Sequence, residues 1–97
     1  MGRLILLVKY KMKSGSREAF VDEVTSSGIL EKIKREDGFV SYDYYYDAVD
    51  PDSLLLMEEW QSEAQQQQHL LSGHMQALKQ IKDKYVLSTS VRQCPEQ

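Results

Sequence analysis

Two short segments, residues 3–12 and 54–61, carry apolar side chains at both alternating positions of an extended chain. Because successive side chains of a strand point to opposite faces of a sheet, both faces of these predicted strands are apolar. A sheet with one solvent-exposed face alternates apolar and polar residues instead. A bare apolar face usually marks an interface or a ligand site. The pattern therefore predicts a homodimer in which two copies pack sheet against sheet.

Glycine and serine residues divide the rest of the chain into helices and strands. Residues 17–36 are predicted to form a helix that Ser16 caps, that bends or splits at Gly28, and that ends at Gly38. The core-facing residues of this helix are expected to be Phe20, Val24, Ile29 and Ile33.

The second half of the chain repeats this alternation. Residues 39–47 form a predicted strand dense in tyrosine, and a turn at Asp50-Pro51-Asp52 joins it to the strand at 54–61. Ser62 caps the second helix, and Gln65 completes a capping box. The remaining features are a break at Ser72-Gly73, a resumed helix over residues 74–84 and a last strand over residues 85–93.

The resulting order, β-α-β-β-α-β, predicts an α+β fold. Right-handed crossovers around a hairpin give a ferredoxin-like plait, in which both helices cover one face of a four-stranded antiparallel sheet. A single domain is expected over residues 3–93, because a chain of 97 residues leaves no room for a second one. Residues 94–97 are expected to form a C-terminal tail.

Composition excludes several functional classes. The net charge is -3 and the basic residues are scattered, so no electrostatic footprint for nucleic acid exists. Cys94 is the only cysteine, which excludes a disulfide framework and fits a reducing cytosol. The N-terminal apolar run, residues 4–8, is too short for a signal peptide or a membrane span. We expect a soluble, cytoplasmic protein that binds neither nucleic acid nor membrane.

The third strand places a carboxylate in an apolar row. Leu56, Glu58 and Trp60 share one face, whereas Leu55 and Met57 on the other are expected to pack against the helices. A carboxylate among apolar residues is costly unless it is paired, so the row containing Glu58 is expected to border a cavity with polar groups. The alternative is a position at the sheet rim, bonded to an Arg or a Tyr.

One longer pattern links the third strand to the second helix: Pro51-Asp52-Ser53, four apolar residues, Glu58, Trp60, Ser62, Ala64, His69, Leu70, His74-Met75 and Ala77. Upstream features agree with it: Ser14-Gly15, the segment 17–20, Glu36-Asp37-Gly38 and Tyr42. With this pattern, the chain from about residue 4 to 92 resembles the antibiotic biosynthesis monooxygenase family, and most closely its quinol monooxygenase branch.

The resemblance implies a dimeric α/β barrel built from two ferredoxin-like subunits, with a pocket between sheet and helices in each. Some members oxygenate phenols, hydroquinones or polycyclic aromatics with O2 and without flavin, haem or metal. We therefore expect a small aromatic or enolisable substrate, O2 and no cofactor. Relatives on the same fold degrade haem, isomerise small phosphorylated sugars or have no known activity, so the fold alone does not decide between them.

The resemblance also suggests roles for individual residues. His69 is the expected base, because a neutral imidazole accepts a proton near pH 7. Glu58 is expected to orient or charge His69. The expected pocket wall, which excludes solvent, contains Trp60, Leu56, Tyr42, Tyr44 and His74. The structural alternatives are an exposed His69 on a glutamine-rich face, Trp60 in the dimer core, and tyrosines that only pack.

The spacing of the two histidines does not predict a metal site. His74 follows His69 by five residues, which on an ideal helix separates the two side chains by about 140°. They share a face only if the break at Ser72-Gly73 reorients the helix. The spacing favours His74 as a structural cap at this break, and no metal ligand is predicted.

Three rival functions remain at this stage. A haem-degrading enzyme is disfavoured because the chain contains no Asn and has Lys79 where the haem-ligating His is expected. A sugar-phosphate isomerase of the autoinducer-processing type needs cations near its phosphate, for which Arg3, Lys9 and Arg92 are candidates. A non-enzymatic dimeric ligand-binding or stress-related module would bind aromatic ligands without turnover.

Overall fold

A computed structural model gives the conformation of residues 2–95. The elements follow the predicted order, with each predicted helix divided in two. They are β1 (Leu4–Met12), α1 (Arg17–Ser27), α2 (Ile29–Lys34), β2 (Phe39–Tyr46), β3 (Ser53–Trp60), α3 (Glu63–Leu70), α4 (Gly73–Tyr85) and β4 (Val86–Cys94).

The four strands form one antiparallel sheet in the order β2-β3-β1-β4. This arrangement confirms the predicted ferredoxin-like α+β fold. The register aligns Tyr42 of β2 with Glu58 of β3, and Glu58 with Leu6 of β1. Residues directly opposite each other share a face of the sheet, so these three side chains form one row across three strands. This row lies beneath the helices and forms the floor of the candidate site.

The structure reverses the predicted orientation of β3. Leu56, Glu58 and Trp60 are buried beneath the helices, whereas Met57 is 40% exposed on the opposite face and Leu55 is half-buried there. The prediction that Leu55 and Met57 pack against the helices is therefore wrong. The buried row accommodates Glu58 because the Trp60 indole N–H donates to its carboxylate, which offsets part of the cost of burial.

Both predicted helix breaks occur. Gly28 ends α1 with φ of 84°, a left-handed conformation that glycine adopts without steric cost. The Ser62 hydroxyl accepts a hydrogen bond from the Gln65 backbone N–H at 3.2 Å, as expected of an N-cap. Ser16 occupies the N-cap position of α1 but its hydroxyl donates to the Lys13 carbonyl at 2.7 Å, so it does not cap the helix with its side chain.

The β2–β3 turn is anchored to α1 by one buried cation. Arg17 is 8% exposed and its Nη1 donates to the carbonyl oxygens of Asp47, Asp50 and Ser53 at 3.1–3.2 Å. Its guanidinium lies 4.1 Å from the centroid of the Tyr46 ring. These contacts satisfy the buried charge and fix the hairpin at the end of the sheet away from Trp60.

Element ends differ from the predictions by one or two residues. Tyr85 belongs to α4 rather than to the last strand, and β4 continues to Cys94, the first residue of the expected tail. Residues 96 and 97 of that tail lie outside the described residues. Among residues 2–95, no helix has the length and apolar character needed to cross a membrane.

Candidate active site

A cavity of about 200 Å³ lies between the helix-facing side of the sheet and helices α3 and α4. Much of its wall is apolar, with contributions from Leu6, Val8, Met75 and Val91. Its polar wall consists of Tyr10, Tyr42, Glu58, Gln66, His69, Lys82 and Thr89. An apolar enclosure with a few convergent polar groups is the usual form of a small-molecule site.

Glu58 lies in the cavity wall, and its carboxylate is held by Trp60, the next residue on the same face of β3. Its Oε1 accepts a hydrogen bond from Trp60 Nε1 at 2.8 Å, and the residue is 6% exposed. Residues i and i+2 of a strand point to the same face, so this bond is local to β3. Trp60 is wholly buried and lies behind the cavity, where its N–H fixes the carboxylate.

His69 is buried in the same wall, at the end of α3. Its ring centroid is 4.5 Å from that of Trp60 and 5.9 Å from that of Tyr42. Its Nδ1 lies 2.9 Å from Oε2 of Glu36, at the end of α2. Glu58, which was expected to orient or charge this histidine, is hydrogen-bonded to Trp60 instead, and Glu36 is the carboxylate that bonds His69.

The Glu36 contact determines which tautomer His69 adopts. When Nδ1 carries the proton and donates to the carboxylate, Nε2 carries the lone pair. Within residues 2–95, no hydrogen bond reaches Nε2. The ring is also packed against Trp60 and Tyr42, which limits its rotation. Glu36 and these aromatic rings therefore fix the orientation of the His69 ring in the wall of the cavity.

Both histidines contact the same carboxylate oxygen. His74 Nε2 lies 2.7 Å from Glu36 Oε2 and 3.2 Å from the Ser72 hydroxyl. The break between α3 and α4 reorients the chain, so ideal helical spacing does not apply to this pair. The candidate ligand atoms of Glu36, His69 and His74 all lie within 4.8 Å of one another. The five-residue spacing of the two histidines therefore does not exclude a metal site, because the break brings both side chains to Glu36.

Burial keeps the tyrosines near the cavity neutral. Loss of solvation raises the pKa of Tyr10, Tyr42 and Tyr44 above the usual value of a phenol. The Tyr44 hydroxyl is buried and has no hydrogen-bond partner within residues 2–95. Neutral hydroxyls in this region can donate or accept hydrogen bonds without adding charge to the cavity.

Lys82 supplies the cation of the cavity wall. Its ammonium nitrogen lies 5.3 Å from the centroid of the Tyr10 ring. Burial lowers the pKa of Lys82, and the negative charge of Glu58 opposes this change. Glu58 and Lys82 thus place opposite charges in one small enclosure, where electrostatic interactions are stronger than in water.

Three of the seven predicted site residues line the cavity: Tyr42, Glu58 and His69. The other four residues expected in the pocket wall do not line it. Trp60 and Leu56 are wholly buried behind it, and Tyr44 and His74 are also absent from the lining. Trp60 and Leu56 do not reach the cavity because a residue on the helix-facing side can be covered completely by neighbouring side chains.

Sequence reasoning missed Glu36 and Lys82 as site residues. Lys82 follows the buried Leu78 by four positions and Met75 by seven, so it is a charge within the apolar stripe of α4. Lys82 can therefore be recognised from sequence in the same way as Glu58, as a charged residue in an apolar row. Glu36 is 33 positions from His69, and no periodicity connects the two.

A family model and several solved structures are similar to this chain. A family model described as "Antibiotic biosynthesis monooxygenase" matches residues 3–80. No curated protein matches the chain at a significant level.

Solved structures with the same fold cover almost the whole chain. A Pseudomonas aeruginosa protein is 18% identical, with 100% of this chain and 96% of that chain covered and a TM-score of 0.86. A Methanosarcina mazei protein is 21% identical, with 100% and 95% covered and a TM-score of 0.86. A Nitrosomonas europaea protein, named as a candidate antibiotic biosynthesis monooxygenase, is 18% identical, with 99% and 92% covered and a TM-score of 0.86. At these identities the likeness establishes the fold.

Proposed function

Because the chain belongs to the antibiotic biosynthesis monooxygenase family, we propose that it oxidises a small phenol or hydroquinone with O2. The observation that carries this proposal is the hydrogen bond between Glu36 and His69, with the histidine in the cavity wall. A carboxylate that holds the Nδ1 proton leaves Nε2 free to accept a proton from a substrate hydroxyl. The resemblance implies that some members of this family carry out such chemistry without flavin, haem or metal.

The proposed reaction begins with proton transfer from the phenol to Nε2 of His69. The phenolate is a better electron donor than the phenol, and it passes one electron to O2. The resulting radical pair combines to form a C–O bond at an unsubstituted ring carbon. The peroxide anion takes back the proton held by His69, and the resulting hydroperoxide loses the hydrogen of that carbon as its O–O bond breaks. One oxygen remains as a carbonyl and the other leaves as water, so phenol plus O2 gives quinone plus water without an added reductant.

The charges of the cavity fit an anion formed during the reaction. The ammonium of Lys82 offsets the negative charge of Glu58 and can attract a phenolate. Glu58 is held by Trp60, so its carboxylate has a fixed position. It favours the imidazolium that forms when His69 accepts the proton. Burial of the whole group limits the access of water to the radical pair.

The cavity size supports a substrate with one aromatic ring. An apolar cavity of about 150 Å³ holds a benzene molecule. The cavity here measures about 200 Å³, which leaves room for one or two small substituents on a single ring. We therefore propose a monocyclic phenol or quinol in preference to a polycyclic aromatic.

The cations considered for a sugar phosphate lie outside this cavity. Arg3 pairs with Glu59 at 2.7 Å, and Lys9 and Arg92 line a separate hollow with Leu7 and Leu55. That hollow is on the opposite face of the sheet from His69. A phosphate near His69 would have Lys82 as the one cationic group of the cavity wall within residues 2–95. The geometry thus favours a phenol over a phosphorylated ketose.

A substrate panel tests the proposal. We expect oxygen uptake with monocyclic hydroquinones and phenols, and none with phosphorylated ketoses, when no flavin or metal is added. Isomerisation of a phosphorylated ketose without oxygen uptake would contradict the proposal. Ligand-induced thermal stabilisation by phenols without any turnover would instead identify a binding module.

Replacement of Lys82 by Met tests the role proposed for the cation. The change keeps most of the length of the side chain and removes the charge that attracts the phenolate, so kcat/KM should fall about 10²–10³-fold, the usual cost of losing one electrostatic contact. In the wild type, Lys82 should lose its proton at lower pH than an ordinary lysine, because its pKa is lowered. Oxygen uptake should therefore decline on the alkaline side, and that decline should disappear in Lys82→Met. Lys79→Met on the exposed face of α4 is the matched control, and an equal loss of activity in both variants would contradict the assignment.

We also propose that the chain forms a homodimer through the open face of its sheet. Met57 is 40% exposed there, and the hollow lined by Leu7, Leu55 and Arg92 measures about 230 Å³. Ile5 and Leu7 on β1 lie opposite Glu59 and Met57 on β3, which makes this face partly apolar across two strands. Packing it against a second copy would remove the apolar surface from water.

A charge on the open face should disrupt this dimer. The wild type is expected to show twice its chain mass of 11.2 kDa in light scattering at micromolar concentration. Leu55→Lys should yield monomers or aggregates, because a lysine at a buried interface is unpaired. Val49→Lys is the control, since Val49 is 92% exposed in a turn. A folded monomeric wild type, or a Leu55→Lys variant that remains dimeric, would contradict the proposed interface.

A further inference from the structure

We propose that Glu36, His69 and His74 form a binding site for a divalent transition-metal ion of the Zn²⁺ class. The three ligand atoms are Oε2 of Glu36, Nδ1 of His69 and Nε2 of His74, and all lie within 4.8 Å of one another. Binding of the ion is independent of the proposed oxygenase activity. The effect of the ion on catalysis rests on that proposed function.

The distances between the ligand atoms are close to those around a zinc ion. Glu36 Oε2 is 2.9 Å from His69 Nδ1 and 2.7 Å from His74 Nε2. Ligand atoms bonded at about 2.0–2.1 Å to a tetrahedral zinc lie about 3.3–3.4 Å apart. The carboxylate needs to move outward by roughly 0.5 Å for the ion to take the place of the two hydrogen-bonding protons.

The donor atoms select the class of metal. Two imidazoles and one carboxylate suit Zn²⁺ and its neighbours in the first transition series, whereas Mg²⁺ and Ca²⁺ prefer sites built from oxygen alone. Three protein ligands leave at least one coordination position for water or a small ligand. A two-histidine, one-carboxylate set at this location is therefore a candidate for an exchangeable ion.

The cluster is accessible from the surface of the protein. The side chains of Glu36 and His74 are each 15% exposed, whereas that of His69 is 1% exposed. His74 also lines a groove of about 550 Å³ between α1, α2 and α4. An ion can reach the carboxylate and His74 from this outer side, while the cavity lies on the other side of His69.

Metal binding would prevent His69 from acting as a base. In the metal-free state Nδ1 donates its proton to Glu36 and Nε2 carries the lone pair. An ion on Nδ1 uses the lone pair of that nitrogen, so the proton of the neutral ring must reside on Nε2. Nε2 then becomes a donor, and it cannot accept the proton of a phenol. The ion is therefore expected to inhibit the proposed oxygenation.

Calorimetric titration of ZnCl2 into the protein tests the site directly. The protein should carry Cys94→Ser, because a free thiolate is a competing zinc ligand. We expect one ion per chain, and at least an about 100-fold weaker affinity in His74→Ala, since loss of an outer hydrogen bond to a ligand already costs about 10–100-fold. Glu36→Gln should weaken binding similarly. Glu63→Gln is the matched control, because Glu63 is exposed in the first turn of α3.

A second readout keeps the test decisive if a variant fails to fold. Zinc added to the wild type should shift the nuclear magnetic resonance signals of Nδ1 of His69 and Nε2 of His74 together. Absence of saturable binding to the Cys94→Ser protein, or binding that His74→Ala leaves unchanged in a folded variant, would overturn the site. Zinc binding, together with no phenol turnover by the metal-free protein, would uphold the site and refute the proposed function. Turnover that zinc leaves unaffected at saturation would refute the inhibition.

Discussion

Replacing His69 by Gln is expected to lower phenol-dependent oxygen uptake by about 10²–10⁴-fold, the usual contribution of a positioned base. Glutamine retains a polar side chain of similar reach but cannot accept a proton at neutral pH. The measurement is kcat/KM with an oxygen electrode at several pH values.

The control for this variant is Gln68→Ala, one residue earlier and exposed on α3. His69→Ala is less suitable, because His69 is 1% exposed and packs against Trp60. A small residue there leaves a void and removes one of the two histidine contacts of Glu36, so a loss of activity would be mixed with a loss of thermal stability. Full activity in a folded His69→Gln variant would show that another group removes the proton.

Replacing Trp60 by Ala is expected to reduce the free energy of unfolding by about 3–5 kcal/mol. Trp60 is fully buried, its ring lies 5.9 Å from that of Phe39 and 4.5 Å from that of His69, and its N–H binds Glu58. Removing the ring creates a large void and leaves a buried carboxylate without this donor. Urea unfolding measures the loss, which is large for a domain of this size.

Trp60→Phe separates the two contributions. The aromatic ring largely remains but the donor to Glu58 disappears, so a loss of about 1–3 kcal/mol is expected from the unpaired carboxylate. Because Trp60 lies behind the cavity, its main effect should be on stability rather than on substrate binding, contrary to the role expected from sequence. Val49→Ala, at a 92% exposed position, should change stability by no more than about 0.5 kcal/mol. A Trp60→Ala variant as stable as this control would contradict the packing described.

The order of elements was predictable because its signals are local. Glycines at the helix breaks, the Ser62 cap and the apolar strands each reflect the conformations of a few neighbouring residues. Which face of β3 the helices cover was not predictable in the same way. Both rows of the strand are apolar, so alternation alone did not distinguish the side that the helices cover. The hydrogen bond from Trp60 to Glu58 allows the carboxylate to lie on the buried side.

The candidate site was predictable only in part for a related reason. Glu58 stands out in sequence because it is polar beside apolar neighbours, whereas His69 was indicated by the family resemblance, and both line the cavity. Their partners depend on tertiary contacts. Glu36 reaches His69 only when the end of α2 meets the end of α3, and His74 joins them only because the chain reorients between α3 and α4. Such contacts have no periodic signature in the sequence.

The most direct test of the account is the protonation state of the His69 ring, read from the 15N signals of its two nitrogens near neutral pH. We expect a proton on Nδ1, bonded to Glu36, and a lone pair on Nε2. The Nε2 signal should shift when a monocyclic phenol is added, because the substrate hydroxyl then donates to it, and this response should be lost in Glu36→Gln. A proton on Nε2 in the metal-free protein, or an Nε2 signal that does not respond to any phenol that binds, would contradict the proposed role of His69 as the base.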